Sequence, residues 1–213
     1  MEIIFNNVSL NFSHKIIFSS LNLKLTSGKI IQIIGENGSG KSTFLNLAAH
    51  LIRPTSGKII AFCDEKKLQG EDYRKKIAML TPDMKVYENL TAEENLKFFV
   101  GLRGKILSRD DTLNLWERVG LKEDDIKGKY AGKLSTGMSQ RLKFAVFLAM
   151  DAKVWLLDEP TANLDEAGRE TVIREARQAA KKDILVLWAT NDERERSAAD
   201  EVINLSSDPI RIS

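Results

Sequence analysis

Cysteine and histidine are almost absent from this chain: Cys63, His14 and His50 are all there is of either among 213 residues. A lone cysteine excludes an intramolecular disulfide framework and fits a reducing compartment; at the end of an apolar run, Cys63 reads as a small strand-end residue. No basic N-terminal segment leads into an apolar stretch with a small-residue cleavage site, so no signal peptide is expected. No uninterrupted apolar run approaches the roughly eighteen residues that a bilayer span requires. Charge of one sign is also lacking. The 32 Lys and Arg stand against 30 Asp and Glu, a net charge of +2, which gives nucleic acid or an anionic membrane surface no broad attraction. No internal repeat, low-complexity segment or long linker is visible. With 43% hydrophobic residues, the chain is expected to form a single domain over 1–213, of α/β class, with room for an inserted subdomain.

What is present is concentrated. Residues 1 to 60 hold six Lys/Arg and two Asp/Glu, a local excess that a phosphate site would partly explain. Within them, the apolar run Ile30 to Ile34 leads into Gly35, Glu36, Asn37, Gly38, Ser39, Gly40, Lys41, Ser42 and Thr43, and a helical pattern begins at Phe44. This strand, glycine-rich loop and helix satisfy G-x-x-x-x-G-K-[ST]. Glycines let backbone N–H groups curl around phosphate oxygens, Lys41 supplies a point charge near the β/γ-phosphates, and Ser42 offers a hydroxyl to Mg²⁺. The helix N-terminus adds N–H groups and the positive end of its dipole. A dinucleotide fingerprint fails, because its third glycine would fall at Thr43.

Before the loop, Glu2 to Val8 and Leu21 to Leu25 read as antiparallel strands with one wet face, flanking Ser13-His14-Lys15. Phe12 lies between them, and an aromatic there either stacks on an adenine or serves as a core or edge side chain. After the loop, Lys58 to Phe62 and Ile77 to Leu80 read as strands. Thr91-Ala92-Glu93-Glu94 is a capping box opening a helix through Leu102. A second helix runs from Asp111 to Val119 with Gly120 as its C-cap, and a third begins near Ser135 with one apolar face at Leu142, Ala145, Val146 and Ala149. Residues 85–150 thus form a helical insertion. Val154 to Leu157 is a buried parallel strand ending at Asp158-Glu159-Pro160; Glu166 to Ala180 is helical, Ile184 to Ala189 is another buried strand, and Glu201 to Leu205 with Ile210 to Ile212 are closing edge strands.

Two adjacent carboxylates after an apolar strand are costly to bury unless a cation or a reaction uses them. With a phosphate loop upstream, Asp158 would hold Mg²⁺ through its water shell and Glu159 would polarise the water that attacks a γ-phosphate.

In this order of motifs the chain resembles, over nearly its whole length, the ATP-binding subunits of ABC transporters. Leu134 to Arg141 (Leu-Ser-Thr-Gly-Met-Ser-Gln-Arg) is similar to that family's LSGGQ signature: Ser135 and Gly137 match, while Thr136 and Met138 depart. Ala162-Asn163-Leu164-Asp165 resembles its D-loop, with Asp165 the matching acid, and Phe12 its adenine-stacking aromatic. The resemblance implies a P-loop core with a mostly parallel sheet, an N-terminal antiparallel β subdomain and an inserted helical subdomain. It implies ATP and Mg²⁺ as ligands and a head-to-tail dimer with a second ATPase subunit, in which Ser135 and Gly137 touch ATP held by the opposite copy. It also implies separate transmembrane permease subunits, contacted by the helical insertion, and a cytoplasmic chain peripheral on the inner face of the cell membrane. Chain length and the signature's form are similar to compact exporter-type subunits, including the haem-exporter ATPase of cytochrome c maturation.

Two departures bear on rate. After Ile77 to Leu80 the family places a glutamine, where this chain has Thr81-Pro82-Asp83-Met84; Asp83 either reaches Mg²⁺ through a water or is a turn residue after proline. Where the family has a switch histidine, the chain has Asn191. Asparagine keeps one amide donor but cannot become a cation, so hydrolysis is expected with Glu159 and Asn191 as its catalytic residues, at a reduced rate. The alternative is an ATP-binding regulatory or assembly module, or a degenerate heterodimer half, that hydrolyses poorly.

Overall fold

The computed structural model describes residues 1–13, 15–207, 210 and 212; the expected turn residue His14 and the closing-strand residue Arg211 lie outside them. In chain order the strands are β1 (Glu2–Phe12), β2 (Lys15–Thr26), β3 (Ile30–Ile34), β4 (Ser56–Cys63), β5 (Lys66–Leu68), β6 (Ile77–Leu80), β7 (Val154–Asp158), β8 (Leu185–Ala189) and β9 (Glu201–Asn204). The helices are α1 (Lys41–Ala48), α2 (Gly70–Arg74), α3 (Ala92–Gly101), α4 (Arg109–Val119), α5 (Glu123–Ile126), α6 (Thr136–Ala149) and α7 (Glu166–Lys181). Packing divides the chain into two compact units: Met1–Met79 with Lys153–Glu159 and Ala176–Ser213, and Leu80–Ala152 with Pro160–Glu175.

The first unit holds an antiparallel sheet of order β2-β1-β4-β5 and a second sheet of order β6-β7-β8-β3-β9. β1 and β2 extend well past the expected Val8 and start well before Leu21. The alternation that marks a strand is broken at Asn6-Asn7, yet the pairing continues through register shifts between Phe5 and Val8 and again toward Asn11. Side chains take up the backbone groups that these bulges release: Asn7 N donates to Asn22 Oδ1 at 2.9 Å, and Ser20 N to Ser9 Oγ at 3.0 Å. β4 approaches the bulge so closely that a Cβ on Gly57, whose φ is 82°, would lie 2.1 Å from the Asn7 carbonyl oxygen, so only glycine fits there. Phe44 of α1 stacks on Phe5 at 5.0 Å and meets Phe18 edge-on at 6.2 Å. These rings join the antiparallel sheet and α1 in one apolar core with β3, β7 and β8.

In the second sheet, β3 pairs in parallel with β8 and β9, and β7 with β8. Every residue of β7 and β8 is buried, as the apolar runs 154–157 and 185–189 require of strands covered on both faces. Because β7, β8 and β3 are parallel neighbours, the three segments that follow them emerge at one edge of the sheet. β9 is an edge strand as expected, and Ile212 makes a single antiparallel bridge to Ile203.

The second unit is helical. Both bonds of the Thr91/Glu94 capping box form at the start of α3. α4 begins two residues before the expected Asp111, because Ser108 and Asp111 make a second capping box, and it ends at Gly120 with φ 70°. α6 packs against α3 and α4. The single apolar face expected for α6 is too narrow a description, since Phe144, Phe147 and Leu148 are buried along with Leu142, Ala145, Val146 and Ala149.

Candidate functional site

The phosphate loop follows β3 and enters α1 through Gly40, which has φ 101° and, having no side chain, caps the helix with none. α1 carries no acidic residue in its first turn, so no side chain of that turn offsets its N-terminal dipole. A Cβ on Gly40 would press Ile17 and Phe18 at 3.0 Å, and one on Gly35 would meet Ser39 Oγ at 2.6 Å; a Cβ on Gly38 would meet nothing within 4 Å. All three glycines have φ between 79° and 153°, where a side chain is strained, and the space over Gly38 leaves the loop's crest open. Lys41 is buried, and its Nζ donates to the carbonyls of Gly35 at 2.9 Å and Glu36 at 3.1 Å. Desolvation pushes its pKa down, against the opposing pull of Glu159 and Asp158. Ser39 Oγ is buried with no hydrogen-bond partner among the described residues, an orphaned donor of the kind a phosphate oxygen would satisfy. Ser42 is exposed at the start of α1, and Thr43 is half-buried.

Asp158 is buried at the C-terminal end of β7. Glu159 follows it with φ 47°, a left-handed conformation that is costly for a residue with a Cβ and is found where the surroundings impose it. Its N–H donates to Ala189 O of β8 at 2.9 Å, which fixes the strained turn and leaves the carboxylate exposed. Asn191, two residues after β8, donates from Nδ2 to Asn37 Oδ1 of the phosphate loop at 2.5 Å and lies 3.5 Å from Glu159 Oε1. The structure therefore brings Asn37, Glu159 and Asn191 together. An open cleft of about 480 Å³ runs beside the loop, bounded by Gly35, Asn37, Asn191 and Ser206. Lys41, Ser42 and Asp158 do not line it, so it flanks the phosphate cradle. Ser206 was not legible as a neighbour of the loop; its Oγ accepts from Glu36 N at 3.4 Å, and nothing local in a Ser-Ser pair after an edge strand signals that.

The remaining candidates are separate from these. Phe12 ends β1 and is 51% exposed, which leaves its ring face available for stacking. In the helical unit, Ser135 caps α6 by accepting from Met138 N at 3.3 Å. Gly137 stands in the first turn, where an added Cβ would meet nothing within 4 Å. Asp165 accepts from Gly168 N at 2.9 Å and pairs with Arg141 at 2.7 Å, although its side chain is 70% exposed. The bond from Gly168, with help from Arg141, holds the Asp165 carboxyl below its ordinary pKa. Arg141 also donates to the Val119 carbonyl at 2.8 Å, so one guanidinium ties α6, the end of α4 and the Asp165 loop. Among the described residues no group of three or more His, Cys, Asp or Glu is placed to hold a metal. A Mg²⁺ site needs fewer protein ligands than that, since phosphate and water complete its shell.

A family model described as ABC transporter matches residues 18–162. The chain belongs to that family. It is 34% identical over 195 residues to the cytochrome c biogenesis ATP-binding export protein CcmA of Mannheimia succiniciproducens, covering 90% of this chain and 88% of the relative. It is 33% identical over 207 residues to an energy-coupling factor transporter ATP-binding protein of Clostridium perfringens, covering 92% of this chain and 72% of the relative. Its fold superposes with TM-score 0.83 and 25% identity on an ATP-binding cassette solved as a post-hydrolysis dimer bound to ADP and Pi, covering 99% of this chain and 97% of that one. The ABC cassette fold, with one antiparallel and one parallel sheet, is therefore shown, and the chain is an ATP-binding, ATP-hydrolysing subunit of an ABC-type transporter.

Proposed function

We propose that this cassette hydrolyses ATP at two sites shared between copies arranged head to tail, and that closure and opening of the pair moves separate membrane-embedded subunits. The observation that supports the reading is the link from the phosphate loop through Asn191 to Glu159; a carboxylate there would polarise a water attacking the γ-phosphate. The reaction is ATP + H₂O → ADP + phosphate. Its loose transition state asks for positioning and charge stabilisation more than covalent chemistry. The loop backbone, Ser39 Oγ and the α1 N-terminus would bind phosphate oxygens, and Lys41 would leave the Gly35 and Glu36 carbonyls to reach the β/γ-phosphates. Ser42 and Asp158 would hold Mg²⁺, which neutralises charge building on the phosphate oxygens. Glu159 orients the attacking water and draws on its proton, and Asn191 supplies one donor where a cation is absent, so turnover is slow. Phe12 would stack on the adenine.

In the opposite copy, Ser135 and Gly137 would approach the same phosphates through the α6 N-terminus, and Asp165 would stand at the interface. The open space over Gly137 supports this, because a backbone must come within hydrogen-bond reach of an oxygen there. Among the described residues no helix is long and apolar enough to cross a membrane; separate membrane-embedded subunits would be contacted by the helical unit. The Glu159→Gln variant tests the reading. It should bind ATP normally, lose about 10²- to 10⁴-fold in turnover, and run as a dimer by light scattering with Mg·ATP. A strictly monomeric variant at every ATP concentration would contradict the shared site.

A further inference from the structure

The segment Asp192-Glu193-Arg194-Glu195-Arg196 has the composition of a solvated surface turn, yet Glu195 is 1% exposed. Its Oε2 accepts from Trp188 Nε1 at 3.0 Å, and its backbone carbonyl accepts from Gln32 Nε2 at 2.6 Å. Both donors are fully buried. They are also direct register partners on the paired strands β3 and β8. Three residues beyond Gln32 the chain reaches Gly35, the first residue of the phosphate loop; three residues beyond Trp188 it reaches Asn191. Glu195 therefore hangs by side chain and main chain from one rung of the sheet whose two strands deliver the two halves of the nucleotide site.

The turn between the anchor and Asn191 has little slack. Thr190 N donates to Ile33 O at 3.2 Å, Asp192 N to Thr190 Oγ1 at 3.0 Å, Arg194 N to Asp192 Oδ1 at 3.0 Å, and Glu195 N to Asp192 O at 3.1 Å. A displacement of Glu195 thus passes to Asn191. At Asn191 a small displacement decides the chemistry, because its 3.5 Å separation from Glu159 Oε1 lies at the limit of a hydrogen bond while its 2.5 Å bond to Asn37 is short. Burying a carboxylate merely to fasten a surface turn is a poor bargain, since an apolar side chain of similar volume commonly serves as well. A carboxylate repays its burial where a fixed geometry is needed.

We propose that Glu195 is a positioning residue for hydrolysis: through Trp188 and Gln32 it holds the 190–195 turn so that the Asn191 amide stays between Asn37 and Glu159. The inference rests on the reading of Asn191 and Glu159 given above. The test uses the full chain and the variants Glu195→Ala, Glu195→Gln, Asn191→Ala and Glu195→Ala/Asn191→Ala. It reads kcat, the ATP Kd, and hydrogen exchange of amides 190–194 without nucleotide. Glu195→Ala should lower kcat about tenfold, as loss of orientation alone does, with Kd unchanged and faster exchange in the turn. Glu195→Gln should restore most of the loss, since its amide oxygen still accepts from the indole. In the Asn191→Ala background, Glu195→Ala should cost nothing further in kcat, because residues that act through one another are not additive. Additive losses, or an unaltered exchange rate at 190–194 in Glu195→Ala, would overturn the proposal. If Asn191→Ala itself leaves kcat unchanged, the reading of Asn191 fails, and the exchange measurement alone still decides whether Glu195 holds the turn. Should Glu195→Ala not fold, Trp188→Phe removes the indole donor while keeping an aromatic ring, and it is held to the same exchange criterion.

Discussion

The two packed units treat their polar groups in opposite ways. In the first, two polar groups of the nucleotide site are bonded to the protein itself: Lys41 to two carbonyls of its own loop, and Asn191 to Asn37. In the second, the signature segment is open: Ser135 spends its hydroxyl on capping α6, and beside it the space over Gly137 is empty. On the proposed function, the first unit would supply the charge that binds ATP, and the second would present bare backbone. Affinity for nucleotide should therefore depend on the first unit, and assembly on both.

Lys41→Ala should have the largest effect. Loss of a charge-assisted contact costs about 1.5 to 3 kcal/mol, or roughly ten- to hundredfold in Kd for Mg·ATP. Titration of the variant with a fluorescent ATP analogue checks this, and equal affinity in variant and wild type would remove the assignment. On the other side, Asn95 is fully buried and its amide spans Tyr87 N and the carbonyls of Tyr87, Leu90 and Thr91. Asn95→Ala leaves those groups short of partners and should lower stability by about 1 to 3 kcal/mol in urea unfolding, with ATP affinity untouched. A parallel loss of ATP affinity would show that the units are not separable in function.

The smallest effect concerns pH and belongs to the first unit. His50 lies 4.5 Å from the Tyr73 ring, and burial lowers its pKa from the ordinary 6.5. Just below pH 6.5 the unfolded chain thus binds more protons than the folded one, so stability rises with pH toward about 6.5 and levels off above it. His50 has φ 56°, which asparagine tolerates. His50→Asn should flatten the acid side of the Tm profile by about 1 °C, since the ring is only partly covered. An unchanged slope between pH 5 and 6.5 would dismiss the histidine as its source.

The parts of this molecule that were legible are those where local chemistry and tertiary role coincide. β3, the glycine loop and α1 are one such run; the Thr91 capping box, the Gly120 cap and the delivery of Asp158 at the end of a buried strand are others. Sequence alternation makes β1 and β2 too short, because it is lost at bulges while pairing continues. β5, α2 and α5 each bury a single residue, Leu68, Tyr73 and Ile126, too few to leave a period. Glu195 is illegible for the opposite reason: its neighbours are charged and exposed, and its burial and the bond from the Trp188 indole, which lies across the turn, are what reveal that it points inward.

Mixing two inactive variants tests whether each site is assembled from the charged loop of one copy and the open signature of the other. Lys41→Ala damages the first half; Gly137→Asp damages the second by placing a carboxylate where a phosphate should come, in space that accepts it without strain. Alone, each variant has one lesion in both sites of its dimer. In a mixed head-to-tail dimer both lesions fall on one site and the other is intact, so with random pairing ATP turnover should recover to about a quarter of the wild-type rate. A mixture no more active than the mean of its two components would contradict the shared site.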